Sequence, residues 1–600
     1  MFGYHSCYLR IDVANGYAKR RPLDAGVLRQ FIGGVGLGTW LLQTENRAGV
    51  DALDPSAAIV FAFSPLVGTP LTTSAKFAVV AKSPLTNRLN DALSSSHFAL
   101  SGKKTGADAL VIVGRAEQPV VIVIDDGVVR LEPAGDVWGL PTHEAAARLK
   151  KRFGPDYHAA VIGPAGERLV KFATISHDNR HAGRGGLGAV LGSKNVKAVL
   201  VRGTQHTTVA DPNRVVAAAR ELSRQSFGPA TAKYRELGTV SNLLTFNRLN
   251  ALPTRNFQTG SFEGAEAISG EALNAGRRLA RSSCAACTIG CEHIYQTPNG
   301  QGVRLEYESL FALGSLCGIS DPDAVLQAAQ LCDELGMDTI SAGATVAFAM
   351  ECSERGLLSK TKLRFGNAAA MIDTLRRIAA REGMGDLLAE GTRRAAATIG
   401  GDAPNFAPHV KGLEIPGYEP RALQTMALGF AVGSRGADHN RSGAYEADFS
   451  TKVDRLHGSD ESAKWAVDTE DRAALIDSLI LCKFLRGVFD DLYAESAALL
   501  EAVTGWNVTG AELRHTAVRI VTAKKLFNMR EGWTPAEDTL PQRMLGESLT
   551  SSAGMPIGLP SERLHGMIAA YYEKRGWTAD GYVPATQTDR LGLTTFARGS

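Results

Sequence analysis

The chain predicts an α+β protein, a β-rich N-terminal part followed by two mainly helical domains, and three observations carry that reading. Short apolar runs of strand length recur from Tyr8 to about Gly203, capped amphipathic helices follow, and 600 residues exceed what one hydrophobic core serves. Proline and glycine in Leu413-Glu-Ile-Pro-Gly-Tyr-Glu-Pro420 mark a second boundary, so the expected domains are 1–205, 206–415 and 416–600. A composition 44% hydrophobic and 21% charged is ordinary for a globular protein, and a net charge of +3 without Lys/Arg runs points to no nucleic-acid partner. No apolar stretch approaches the ~20 residues that span a bilayer, so no membrane partner is expected. Met1-Phe-Gly-Tyr-His-Ser has neither a basic region nor a long apolar one, and the chain reads as cytoplasmic.

Tyr8-Leu-Arg-Ile-Asp-Val13 alternates apolar and polar residues, and Ala58–Phe63, Lys76–Ala81 and Ala109–Val113 are short apolar runs. Val120–Ile124 and Val128–Leu131 flank Asp126-Gly127, a pair that takes the positive φ values of a tight hairpin turn. Two glycine-rich segments, Gly33–Gly38 and Gly183–Asn195, read either as cradles for phosphate oxygens or as close packing. Gly186-x-Gly188-x3-Gly192 is a faint dinucleotide fingerprint only, because the strand-like run Val196–Val201 follows too soon for a crossover helix.

Beyond Gly203 the pattern is helical. Asp211-Pro212 caps a run over Asn213–Leu222, Asp321-Pro322 opens a helix over 323–335 that Gly336 ends, and Asp338-Thr339 caps another from Ile340 to about Glu354. Asp333-Glu-Leu-Gly-Met-Asp338 therefore sits on a helix–turn–helix corner, where its carboxylates act as caps or hold a polar ring system. A further helix is expected from about Asp471 to Arg486, closed by Gly487. In the polar cluster Gly433–Arg441, His439 lies among Arg, Asp and Asn and reads as an exposed loop histidine.

Three of the eight cysteines fall within eight residues, at Cys284, Cys287 and Cys291. Such a run folds back on itself and aims its sulfurs at one point, as a thiolate-bound metal centre requires. Zinc sites usually gather their ligands as two pairs, so a tight triplet with one distant cysteine favours iron–sulfur. The fourth ligand is to be drawn from Cys7, Cys317, Cys332, Cys352 and Cys482. Cys482 stands out because Asp477-Ser-Leu-Ile-Leu-Cys482 echoes the corner at 333–338.

The ordered set Gly33–Gly38, Ser64–Thr69, Lys82–Thr86, Ile162–Gly166, Ala182–Gly188, Gly192–Asn195, the cysteine triplet, Glu306–Ser309, Asp333–Asp338, Arg435–His439 and Tyr571–Thr578 resembles the tungsten-containing aldehyde ferredoxin oxidoreductase family along the whole chain. The resemblance implies a β-rich base supporting one tungsten (or molybdenum) held by two pterins, joined through their phosphates by magnesium, with helical domains closing over it. It further implies one [4Fe-4S] cluster ligated by Cys284, Cys287, Cys291 and Cys482. Asp333, Gly336, Asp338 and Thr339 would serve one pterin, and Asp477 with the segment through Leu481 the other. Gly183, Arg184, Gly185 and Gly186 would lie on the phosphate side, with Lys76, Ser94 and Ser95 as further cofactor contacts. Glu308 and His439 match the residues the family places beside the metal, so an aldehyde would be oxidised to a carboxylic acid with Glu308 as general base and His439 hydrogen-bonding the carbonyl oxygen. Electrons would leave singly to ferredoxin or a partner iron–sulfur subunit.

Departures from the family pattern refine these expectations. Ser74-Ala75-Lys76 stands where Gly-Gly-Arg is frequent, and Leu93-Ser94-Ser95-Ser96 where Asn-Ser-Gly-Gly is. Ile480 replaces the glycine of the second aspartate motif, so the helix is expected to run through it. Gln327-Ala-Ala-Gln330 replaces the E-x2-H pair that holds an interface metal in some members, so no such metal is expected, while a homodimer stays compatible. Two other readings keep part of this picture: a low-potential reductase of an aromatic acyl thioester, and a non-catalytic electron-transfer or scaffold member.

Overall fold

The computed structural model describes residues 1–359, 361–551 and 553–597. Its N-terminal part is two six-stranded mixed sheets. The first contains β1 (Cys7–Asp12), β2 (Tyr17–Pro22), β3 (Ile59–Ala62), β4 (Lys76–Lys82), β5 (Leu89–Ser95) and β6 (Ala109–Val113), in the order β2-β1-β6-β3-β4-β5 with β1 and β6 parallel. The second contains β7 (Val120–Asp125), β8 (Val128–Pro133), β9 (His158–Ile162), β10 (Ile175–His177), β11 (Arg180–Ala182) and β12 (Val196–Arg202), in the order β11-β10-β9-β12-β7-β8.

Strand periodicity explains how the two sheets share a core. On β7, Ile122 and Ile124 turn toward Phe61, Phe77 and Phe98 of the first-sheet layer, while Val121 and Val123 join Ala145 and Leu149 of the covering helix Thr142–Phe153. Both faces are therefore apolar, which is why the strands read as unbroken hydrophobic runs. The Asp126-Gly127 turn has φ of 48° and 83°, as its dipeptide predicts.

The caps also form where the sequence places them. Asp211 accepts from Arg214 N, Asp321 from Asp323 N, and Asp338 from Ile340 N and Ser341 N. Helix Pro322–Leu335 ends at Gly336 with φ 74° and ψ 50°. Helix Thr339–Glu354 is buried throughout from Ile340 to Ser353 and forms the axis of the helical part.

Two expectations are corrected. The region after Gly203 is not helical throughout: Arg278–Ser282, Glu292–Gln296 and Gly302–Arg304 pair as an antiparallel three-stranded sheet, and the cysteine triplet occupies the loop joining its first two strands. The helix carrying Asp477 spans Asp460–Leu479 and stops at Ile480, which adopts φ 66° and ψ 33° despite its branched Cβ. Leu481 N then donates back to Ile476 O at 3.0 Å, so the chain turns where a continuous helix was expected. Burial of the Ile480 side chain holds this left-handed residue in place. Gly336 and Ile480 occupy the same position in the two echoing hexapeptides and have the same backbone conformation.

Candidate active site

The turn at Ile480 brings Cys482 to the cysteine loop through Thr73. Cys482 N donates to Thr73 Oγ1 at 3.1 Å, and Thr73 N donates to Ala286 O at 2.6 Å. Thr288 N also donates to Thr72 Oγ1 at 3.0 Å, so one N-terminal loop clasps both cysteine segments. Cys284, Cys287, Cys291 and Cys482 are all half-buried and free. Burial, with the neighbouring Cys482 and Cys284 thiols, pushes Cys287 up to about 11 and Cys291 higher still. Among the described residues, no three of these sulfurs lie within 4.8 Å of one another.

Lys76, at the start of β4, lies between these thiols and the second aspartate motif. Burial alone would lower its pKa, but Cys482, Cys284, Asp477 and Cys287 raise it, so the ammonium stays charged beside any thiolates. Ser94 and Ser95 are on the paired strand β5; Ser95 lies opposite Lys76 and its hydroxyl donates to Ala75 O at 2.9 Å. Arg180 faces the other side of the thiol group. Burial opposes its charge, and Cys284, Glu306, Glu292 and Cys291 outweigh that effect.

A belt of buried ion pairs joins the two aspartate motifs. Arg184 meets Asp338 at 3.3 Å and Asp438 at 3.5 Å, and Arg435 pairs with Asp438 while donating to Asp91 O. Asp91 meets Arg441 at 2.9 Å and Lys524 at 3.2 Å, and Asp477 meets Arg441 at 2.5 Å and Lys483 at 3.0 Å. Arg184, Arg435, Arg441, Lys483 and Lys524 thus face the carboxylates of Asp91, Asp338, Asp438 and Asp477, with Glu308 and Glu414 also close to Arg184, and the guanidinium groups among them are of the kind that binds phosphate oxygens. Asp333 lies at the edge, 3.4 Å from His181 Nε2 and 3.6 Å from Arg304. Thr339 Oγ1 bonds Ser309 Oγ at 3.1 Å, while Leu481 is buried beneath the cysteine segment.

The glycine-rich segments divide between the two readings. A Cβ on Gly34 would lie 2.3 Å from Asp477 O, so the 33–38 segment is close packing that lays helix Gly34–Glu45 against the second aspartate motif. Gly186, at φ 83°, likewise abuts Lys171 O, and Gly185 packs on Asn90; only Gly183 of the 183–186 turn faces open space.

Glu308 and His439 meet across the belt. Glu308 Oε2 accepts from Gly417 N at 3.0 Å, while Oε1 faces His439 Nδ1 at 3.6 Å, too far for a hydrogen bond. Among the described residues neither of those facing atoms has another partner. Burial pushes Glu308 up to about 8 and His439 down to about 3, so the imidazole is neutral. Asn440 Nδ2 donates to His439 Nε2 at 2.9 Å, which leaves the ring proton on Nδ1, toward Glu308. His439 is thus buried, stacked on Tyr418 with centroids 5.0 Å apart, and not the exposed loop histidine its neighbours in sequence suggest.

Sequence reasoning missed Asp91, Lys524, Lys483 and Arg180. Asp91 sits inside an otherwise ordinary strand and Lys524 inside a long helix, and no local pattern marks either. The alternation of buried His293 and Tyr295 within Glu292–Gln296 was a readable strand signal.

The side chains gathered here move protons and hold anions, and four half-buried free thiols are the donor set of a bound redox group. Redox chemistry therefore belongs to a bound group, and the chain is a cofactor-dependent oxidoreductase. Comparison gives the family. Residues 8–203 match "Aldehyde ferredoxin oxidoreductase, N-terminal domain" and residues 215–593 match "Aldehyde ferredoxin oxidoreductase, domains 2 & 3", so the chain belongs to the aldehyde ferredoxin oxidoreductase family. It is 37% identical over 615 residues to a tungsten-containing aldehyde ferredoxin oxidoreductase of Pyrococcus furiosus, covering 99% of this chain and 100% of that one. It is 29% identical to the WOR-like subunit of an aliphatic sulfonate oxidoreductase from the same organism, over 99% and 97% of the two chains. The fold is also that of the active-site complex BamBC of benzoyl coenzyme A reductase, with a TM-score of 0.85, 23% identity and coverage of 100% and 98%. Among the described residues no helix is long and apolar enough to cross a membrane.

Proposed function

We propose that this chain oxidises an aldehyde to the carboxylic acid and passes the electrons one at a time to ferredoxin or a similar iron–sulfur carrier in the cytoplasm. The observation that carries the reading is the buried, unpartnered pair Glu308 Oε1 and His439 Nδ1, 3.6 Å apart at the end of a cation-rich belt. A base opposite a neutral donor suits a reacting carbonyl and a water.

The residues fit the family's cofactors. The guanidinium groups of Arg184, Arg435 and Arg441 suit phosphate oxygens of two pterins: Asp333, Gly336, Asp338 and Thr339 would hold one, Asp477 through Leu481 the other. Gly183 and Arg184 would face the phosphates with Gly185 and Gly186 packed behind them, Ser94 and Ser95 would be further cofactor contacts, and Lys76 would lie on the side of the thiols and Asp477. The four thiols would ligate a [4Fe-4S] cluster. The tight triplet with one distant cysteine is the ligand pattern that supports a cluster over a single zinc ion. When bound, the tungsten or molybdenum centre supplies a Lewis acid and a two-electron sink.

The chain's own groups supply the rest. Glu308, when ionised, accepts a proton from the water whose oxygen enters the product. His439 donates its Nδ1 proton toward the carbonyl oxygen as negative charge develops there. Tyr418, stacked on His439, and Tyr445, 5.0 Å from Tyr418, keep bulk water from the pair. One aldehyde and one water give one carboxylic acid, two protons and two electrons, taken by two one-electron carriers.

The test is elemental analysis of anaerobically prepared protein followed by a viologen-linked screen of aliphatic and aromatic aldehydes. Tungsten or molybdenum with dye reduction on at least one aldehyde is expected. Metal-replete protein that oxidises none would overturn the reading and direct attention to acyl-thioester reduction.

A further inference from the structure

The strand Arg278–Ser282 runs directly into the cysteine loop and forms an edge of its sheet, paired among the described residues with Glu292–Gln296 alone. Arg278, Leu279, Ala280 and Arg281 are all exposed. Arg281 Nε lies 3.4 Å from where a Cβ on Gly290 would stand, so its charge abuts the loop between Cys287 and Cys291. On the other flank, Tyr234 stacks at 3.8 Å on Phe484, two residues past Cys482, and carries Lys233 and Arg235 with it. Among the described residues none of Arg278, Arg281, Lys233 and Arg235 forms a salt bridge. Phe227, 58% exposed, lies under the Arg235 guanidinium at 4.5 Å, while Leu279, 50% exposed, leans over Gly302 beside Ile294 on the other face of the sheet. His293, which feels the charges of both Arg278 and Arg281, donates from Nε2 to Tyr234 O at 3.3 Å, so the four cations border one stretch of surface and outnumber the exposed acids beside them, Glu236 and Glu271.

We infer that this surface docks an acidic iron–sulfur protein carrying electrons to or from the chain. Exposed cations around one aromatic ring, next to the cysteine loop, suit a transient complex in which steering matters more than area. The exposed Ala286 and Thr288 put the half-buried thiols of Cys284 and Cys287 directly under a partner seated there. The inference rests on the redox reading above, and its binding test is independent of turnover.

The experiment measures binding of an acidic two-cluster bacterial ferredoxin to the holoenzyme by biolayer interferometry at low and high salt. The double variant Arg278→Glu/Arg281→Glu is expected to bind about tenfold more weakly at low salt, with methyl-viologen-linked turnover unchanged. Lys150→Glu/Lys151→Glu, the same charge change on the exposed face of helix Thr142–Phe153, is expected to bind within about twofold of wild type. The inference is overturned if the wild type does not bind at low salt, if the double variant binds normally, or if both variants weaken binding equally. Normal docking in an enzyme that oxidises no aldehyde would overturn the proposed reaction and leave the docking surface standing.

Discussion

Replacing Glu308 with glutamine preserves side-chain shape and the 3.0 Å bond from Gly417 N while removing the group that titrates. Burial raises this carboxyl from 4.5 to about 8, a difference worth about 5 kcal/mol. At pH 7 about a tenth of the wild-type sites carry the base and at pH 9 about nine tenths, so kcat/KM for the aldehyde should climb about tenfold from pH 6 to pH 7 and level above about pH 9. Glu308→Gln should lower kcat/KM by about a hundred- to ten-thousandfold and abolish that limb. Stability gives a second readout on cofactor-free protein. Between pH 4.5 and about 8 the unfolded carboxyl has lost a proton the folded one keeps, so the contribution of Glu308 is full below 4.5 and lost as pH rises toward 8. The glutamine variant should therefore match wild type in urea near pH 4.5 and exceed it at pH 8. A variant that keeps its pH limb, or most of its activity, would show that Glu308 is not the base.

Three further outcomes are expected. Burial alone would raise the pKa of Asp91, yet Lys524, Arg441 and Arg435 hold it at about 2, so Asp91→Asn should destabilise the protein by about 3–5 kcal/mol in urea near pH 7. That gap should narrow as pH falls from 3.8 toward 2, where wild type loses the same charge. Cys482→Ala should lose most of its iron with an unchanged far-ultraviolet circular dichroism spectrum, and full iron retention would remove Cys482 from the ligand set. Ile480→Gly relieves about 1–2 kcal/mol of left-handed strain but empties a fully buried site at a cost of about 3–5 kcal/mol, so urea titration should show a net loss of about 2 kcal/mol. A stabilised Ile480→Gly would mean that the turn does not need the isoleucine side chain.

Much of the fold was legible because its determinants are short-range. A cap at Asp211, Asp321 or Asp338 needs an acceptor two or three residues from a free N–H, and the strands β3, β4 and β6 need only a few consecutive apolar side chains between two covered faces. The same locality explains the misreadings. The stop at Ile480 breaks a propensity rule, because contacts from the rest of the protein hold an isoleucine where a glycine would be at ease. His439 looked exposed because its sequence neighbours are polar, and those neighbours turn out to be buried in ion pairs.

The sequence by itself determined the donor types: three cysteines poised on one loop, two aspartate motifs with a shared backbone plan, and a carboxylate and an imidazole to divide the work of a base and a donor. The tertiary structure decided which of them meet. Thr73 joins Ala286 to Cys482, Arg184 spans Asp338 and Asp438, and Arg441 spans Asp91 and Asp477. It also decided the protonation of Glu308 and His439, since desolvation and the distance to other charges set a pKa, and both are properties of a folded neighbourhood assembled from positions hundreds of residues apart.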